Sequence, residues 1–214
     1  MSTTQTKILT ETWINATWDE YLQAAENPIY EKAKFYYYNK QLRIELFPSG
    51  HDHASDHTII NYAINLYATV KAIALNGKDN CSYRKTGVRE AQPDLSYYIG
   101  ETVDAIPYGT GIIHLDDYLP PTLVIEISNT SLVDDRGAKH LLYEDLKVGE
   151  YWIVDVKRNQ ILGFAIENGG SRRIEISRAL PSLQISLLEE ALRRTRQTNH
   201  SRVGAWLLSQ FQAK

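Results

Sequence analysis

Apolar and polar residues recur along the chain with two periods, and these divide it into strands and helices. Thr17-Trp18-Asp19-Glu20 carries the hydroxyl and carboxylate of a capping box, which predicts a helix over residues 18 to about 25. In "AKFYYYNKQLRIELF", aromatic and β-branched residues flank Asn39-Lys40, and the pattern predicts two strands joined by a tight turn. Ile59, Ile60, Ala63, Ile64, Leu66, Tyr67 and Val70 then follow at helical spacing, with Ser55 or Asp56 read as the cap and Gly77 as the stop. Short strands are expected near residues 81–84 and from Asp94 onward in "PDLSYYI". A long Gly- and Pro-containing connection fills residues 100–121, and a strand follows over 122–128. The spacing predicts one helix over about 134–148 closed by Gly149, then the strand "EYWIVDV". A polar turn at Lys157-Arg158-Asn159 leads into "ILGFAI", the turn "ENGG" into "RRIEIS", and an amphipathic helix is expected near 186–196. Strands outnumber the helices interleaved among them, which predicts a mixed sheet flanked by helices, α/β or α+β, in one domain.

Three charges break this pattern. Side chains alternate across a strand, so Leu123, Ile125 and Ile127 share one face, and Val124, Glu126 and Ser128 share the other. An uncompensated carboxylate at Glu126 costs several kcal/mol in desolvation or else takes up a proton. The next helix offers a cation. At about 100° per residue from Lys139, Leu142 falls near about 300°, Tyr143 near about 40° and Leu146 near about 340°. Lys139 thus sits within the apolar stripe, with Asp135 at i−4 able to orient it. Asp94, after Pro93 and before "LSYYI", would bring a second carboxylate if its strand lies beside that of Glu126. Two adjacent carboxylates repel unless a divalent cation lies between them, and oxygen-only ligands suit Mg²⁺ or Mn²⁺. Each charge also has a reading without chemistry: Glu126 and Lys139 as a buried ion pair, Asp94 as a turn residue. Their occurrence together in this order favours a shared site.

Composition narrows the classes. Of the 214 residues, 43% are hydrophobic and 23% charged, an ordinary globular balance. The single cysteine, Cys81, excludes an internal disulfide and a cysteine-based zinc cluster, and fits a reducing cytoplasm. The N-terminal residues have no leader pattern, and no apolar run reaches the roughly 18 residues of a membrane span. The net charge of −3 gives no global support for nucleic-acid binding, but seven arginines against three acids lie between Ser171 and Arg202. Such a run is more often a solvated helix face than a phosphate-binding surface.

"QPDLSYYI", "PPTLVIEISNTS" and "DDRGAKHLLYEDLKVGEYWIVD" together resemble the Uma2 family of endonucleases, a domain abundant in cyanobacteria and part of the PD-(D/E)XK superfamily. The resemblance spans about 18–188 and is densest between 92 and 155. It implies a restriction-endonuclease-like fold in which Asp94 and Glu126 are metal ligands joined by the main-chain carbonyl of Ile127. Ser128 stands where the superfamily usually has lysine, and the resemblance places that lysine on the next helix as Lys139, after a matching Asp135-Arg136. His57 matches a histidine that recurs at the start of the long helix, and Ser128-Asn129 replaces a Ser-Pro turn. Glu45 is the candidate for an acid in the early hairpin. His51, His53 and His57 also raise a transition-metal site, against a polar loop with chance histidines.

The expectation is an α/β restriction-endonuclease-like domain over residues 17–190, preceded by an extension over 1–16 and followed by a basic helical extension over 191–214. The expected activity is Mg²⁺-dependent cleavage of a nucleic acid, double-stranded DNA foremost, with Mn²⁺ as substitute and a homodimer as the form that cuts duplexes. Asp94, Glu126, Lys139, His57 and Ser128 form the expected catalytic set; Arg136, Lys157, Arg158, Arg172 and Arg173 are the expected nucleic-acid contacts. The alternatives are a nuclease-fold module that only binds DNA or protein, and a metal-dependent phosphoesterase with a small substrate.

Overall fold

The computed structural model of the chain describes residues 9–46 and 50–213, so Pro48 and Ser49 of the histidine-rich loop lie outside the described residues. The chain begins with β1 (Trp13–Asn15), α1 (Trp18–Ala25), β2 (Ala33–Tyr38), β3 (Gln41–Leu46) and the long α2 (His51–Val70). Four strands follow: β4 (Leu75–Asp79), β5 (Tyr83–Lys85), β6 (Arg89–Ala91) and β7 (Leu95–Ile99). After β8 (Ile113–His114) come β9 (Leu123–Ser128), α3 (Leu132–Arg136) and α4 (Ala138–Asp145). The remainder is β10 (Glu150–Asp155), β11 (Gln160–Glu167), β12 (Gly170–Ile174), α5 (Ile185–Thr195) and α6 (His200–Gln212).

Among the described residues these strands build two six-stranded sheets, where the sequence pattern predicts one. The first runs β12-β11-β10-β9-β7-β4, with β9 and β10 parallel and the other neighbours antiparallel. The second runs β1-β3-β2-β6-β5-β8. The alternation along β9 holds on both sides. Leu123, Ile125 and Ile127 pack with residues of α2, α5 and α6, while Val124 packs with Leu142 and Tyr143 of α4 and Tyr36 of β2. The second sheet arises from the same alternation in the hairpin. Phe35, Tyr37, Leu42 and Ile44 pack on Tyr21 and Ala24 of α1, so Lys34, Tyr36, Arg43 and Glu45 must face the other way, toward β9.

Helix ends differ from expectation for local reasons. The α1 capping box forms as read, with Thr17 and Glu20 bonded reciprocally. Helix α2 starts earlier, at His51, so Ser55 and Asp56 lie inside it, and Asp56 is instead a buried partner of Arg196. It stops before Gly77, which sits in β4. Ala72 takes the left-handed conformation (φ 52°), and Ile73 N–H donates to the Ala68 carbonyl at 2.8 Å, the closing bond of a Schellman turn. The helix expected over 134–148 is two helices broken at Gly137, where an added Cβ would lie 2.9 Å from the Val133 carbonyl oxygen. Lys147 (φ 60°), not Gly149, makes the turn that ends α4; Gly149 is needed because an added Cβ would lie 2.6 Å from the Thr122 carbonyl oxygen. The connection 100–121 carries β8, which pairs parallel with β5. Among the described residues no helix is long and apolar enough to cross a membrane.

Candidate active site

Asp94 immediately precedes β7, and Leu95 pairs with Ile125 across the β7–β9 ladder. That register carries the Asp94 carboxylate to the backbone of β9, where Oδ2 accepts the Ile127 N–H at 2.6 Å. Glu126, one residue earlier, points off the opposite face toward α4 and β2. Its Oε1 accepts the Tyr143 hydroxyl at 2.7 Å and lies 3.0 Å from the Tyr36 hydroxyl. Asp94 and Glu126 are 5% and 2% exposed, so both carboxylates are out of bulk water.

The hairpin supplies the charges that make this tolerable. The Lys34 ammonium is ion-paired with Asp94 Oδ1. Lys34 and Glu45 are directly opposite in the β2–β3 register, as are Tyr36 and Arg43. Glu45 takes the Lys139 ammonium at 2.9 Å and Arg43 at 2.6 Å. Lys139 thus crosses from α4 to the hairpin: it lies 3.0 Å from Asp135, 3.7 Å from Glu126 and 4.0 Å from the centre of the Tyr36 ring. The Asp135 contact is an ion pair without hydrogen-bond alignment, and Ser131 donates to its other oxygen at 2.6 Å. Lys34, Glu45, His53, Asp94, Glu126 and Lys139 line one cavity of about 90 Å³.

The electrostatics separate the two carboxylates. Burial opposes ionisation of Asp94, but Lys34 and then His53 override it and hold the carboxyl well below the usual range. Burial pushes Glu126 up to about 8; Lys139 opposes the rise, and the charges of Asp94 and Asp135 add to it. The hydrogen bonds agree. The Tyr36 hydroxyl has one proton and two neighbours, the Gln92 carbonyl at 2.8 Å and Glu126 at 3.0 Å. A proton on Glu126 lets both contacts be made. Burial works against the Lys139 ammonium, but Asp135, Glu126 and Glu45 outweigh it and keep the group charged.

Histidines from α2 approach from the far side. His53 Nε2 lies 3.5 Å from Asp94 Oδ2. His57 Nε2 lies 3.4 Å from the Asp94 main-chain carbonyl and 3.3 Å from Asp79, so it touches the backbone of the site rather than its carboxylates. His51 is exposed and paired with Asp52. Among the described residues no group of three or more His, Cys, Asp or Glu side chains is arranged to hold a metal. Ser128 is buried with its hydroxyl 3.5 Å from that of Ser131. Lys157 and Arg158 follow β10 at the end of the sheet where β9 finishes, since Asp155 pairs with Ser128. Arg136 is exposed at the end of α3. Arg172 and Arg173 are on edge strand β12, with Arg172 near Glu167 and Arg173 bonded to the carbonyls of Ile161 and Gly163; burial lowers the Arg173 pKa and the nearby Arg136 charge adds to this.

Lys34 is absent from the expected site, although its signal was available: a lysine inside the apolar strand "AKFYYY" is the same anomaly as Glu126 in "LVIEIS". The carboxylate oxygens of Asp94 and Glu126, both at the cavity, are donors of the kind that suits a hard divalent cation. With Glu126 holding its proton, the carboxylates of Glu11, Glu45, Asp94, Asp134 and Asp135 still outnumber the cations of Lys34, Arg43 and Lys139 around the cavity. The donor set and this surplus of negative charge fit such an ion.

The Uma2 family model, described as "Putative restriction endonuclease", matches residues 18–199. Among solved structures the chain is similar to that of "a putative nuclease belonging to DUF820" from Anabaena variabilis, at 17% identity and a TM-score of 0.53, over 90% of this chain and 99% of that one. At that identity the likeness speaks for a shared nuclease-like fold. No curated protein matches the chain. The family match takes in both sheets apart from β1 and every side chain that lines the cavity from β2 to α4, and the chain belongs to the Uma2 family.

Proposed function

We propose that the protein is a metal-dependent endonuclease that hydrolyses phosphodiester bonds of DNA, using Mg²⁺ with Mn²⁺ as substitute. The observation that carries this reading is the convergence of Asp94, Glu126 and Lys139, distant in sequence, on one cavity. Asp94, Glu126 and the Ile127 carbonyl would hold the cation, which when bound supplies Lewis acidity to a phosphoryl oxygen and a more acidic water. To hold the cation, Glu126 would have to release its proton to solvent. Lys139, fixed by Glu45 and Asp135, keeps a positive charge where negative charge develops on the phosphate. His57 and Ser128 act as helpers by holding the backbone around Asp94 and the turn after β9. Arg136, Lys157 and Arg158 are the phosphate contacts this placement favours, and a homodimer would bring one such site to each strand of a duplex.

The test is plasmid cleavage in Mg²⁺ or Mn²⁺ by the wild type, Glu126→Ala and Lys139→Ala. Cutting by the wild type and a loss of about a hundredfold or more in each variant are expected. Equal cutting by all three would remove these roles; no cutting by a folded wild type would favour a binding module.

A further inference from the structure

We propose that Lys34 is a resident counter-ion that competes with the divalent cation for Asp94 and so sets how tightly the site holds it; this rests on the metal-dependent reading above. Lys34 lies on β2, outside the segments that carry the PD and (D/E)XK-like motifs. Its ammonium sits on Asp94 Oδ1, and the two side chains are 3% and 6% exposed. The second oxygen, Oδ2, takes the Ile127 N–H at 2.6 Å and has His53 Nε2 at 3.5 Å. Both oxygens of the carboxylate are therefore engaged.

A hard cation needs a carboxylate oxygen at about 2.0–2.6 Å. An ammonium already held on Oδ1 would be pressed against a like charge in surroundings that screen poorly. Cation binding and the Lys34–Asp94 pair thus exclude each other, and the ammonium must leave Oδ1 before the ion settles. Glu45, opposite Lys34 in the hairpin register, is a further carboxylate within the same cavity, one that the ammonium would share with Arg43 and Lys139. Lys139 has no such conflict, because its contacts at 2.9 and 3.0 Å are to Glu45 and Asp135, and Glu126 is farther, at 3.7 Å. The two buried lysines divide the work: Lys34 holds the place of the ion in its absence, and Lys139 stays whether or not the ion is bound.

The experiment is titration of the full chain with Mn²⁺ alone, without nucleic acid, followed by calorimetry and by the loss of the free-Mn²⁺ resonance signal. Wild type, Lys34→Met, Lys34→Arg and Asp94→Asn are compared. Lys34→Met should bind Mn²⁺ about tenfold more tightly or better, Lys34→Arg should remain near the wild type, and Asp94→Asn should lose binding. A lysine with a merely structural role predicts the opposite sign, since its loss would loosen the site and weaken binding. If Lys34→Met does not fold, Lys34→Gln, neutral yet polar, carries the same expectation. Equal or weaker binding by the neutral variant, with Asp94→Asn still abolishing it, overturns this inference and leaves the metal-dependent reading standing. If neither the wild type nor the neutral variant binds Mn²⁺, the metal-dependent reading falls and takes this inference with it.

Discussion

Asp94 and Glu126 share a cavity yet hold protons differently, because Lys34 and His53 keep Asp94 ionised against its burial, whereas burial prevails at Glu126 over the opposing charge of Lys139. For Glu126 the sign of the pH effect follows directly. Its pKa in the folded chain, about 8, lies above its ordinary 4.5. Its contribution to stability is therefore complete below the ordinary value and is lost as pH rises through about 8. Urea unfolding of the metal-free protein should show stability falling over that window by roughly a few kcal/mol. Glu126→Gln, with no such proton to release, should flatten the slope; an unchanged slope would contradict the assignment. How much of the site could be read from the sequence also turns on single residues. Glu126, Lys139 and Asp135 were visible because a charge in an apolar strand or stripe demands a partner. Arg43 and Tyr36 were not, since an arginine or a tyrosine on a strand is ordinary until one knows which face is buried. Lys34 was legible by the Glu126 criterion and was passed over.

At the scale of the element, the break between α3 and α4 aims Lys139. At the break Gly137 closely approaches the Val133 carbonyl, whose oxygen would lie 2.9 Å from an added Cβ. Gly137→Ala should cost about 1–3 kcal/mol, measured as a lower melting temperature. It should also turn α4 enough to reduce cleavage. Full stability and full activity in that variant would mean the break is incidental. Periodicity could not reveal it, because the apolar stripe at Leu142, Tyr143 and Leu146 continues the pattern that begins before the glycine. Short strands were hidden for another reason. β4, "LNGKD", is a largely polar edge, and β6 and β8 have three and two residues, too few to show alternation. The core strands β7, β9 and β10 were plain because they are buried on both faces.

Across the whole molecule, charge is less one-sided than the arginine-rich C-terminal quarter suggests. Arg193 and Arg194 pair with Glu190, Arg178 with Glu167, and Arg196 binds buried Asp56 through both terminal nitrogens. The last pair ties α5 to α2, the helix that presents His53 to Asp94. Arg158 is paired as well, with Asp155 at 2.9 Å, but it and Lys157 stand at the end of the sheet where β9 finishes, so binding of duplex DNA should depend on these two more than on Arg172 and Arg173. Replacing the first two by alanine should lower the slope of log affinity against log salt by about 1 per lost phosphate contact, and replacing the second two should leave it nearly unchanged. The reverse result would place the nucleic acid on the β12 edge.

The cavity is walled by the hairpin of one sheet and the central strands of the other. A nascent chain that has made "QPDLSYYI" and "LVIEISNTS" but has not yet docked these against β2 and β3 has no reactive centre, only scattered charges. For an enzyme of the proposed kind, competence to cut would then be a certificate of finished folding, withheld from fragments and half-assembled molecules.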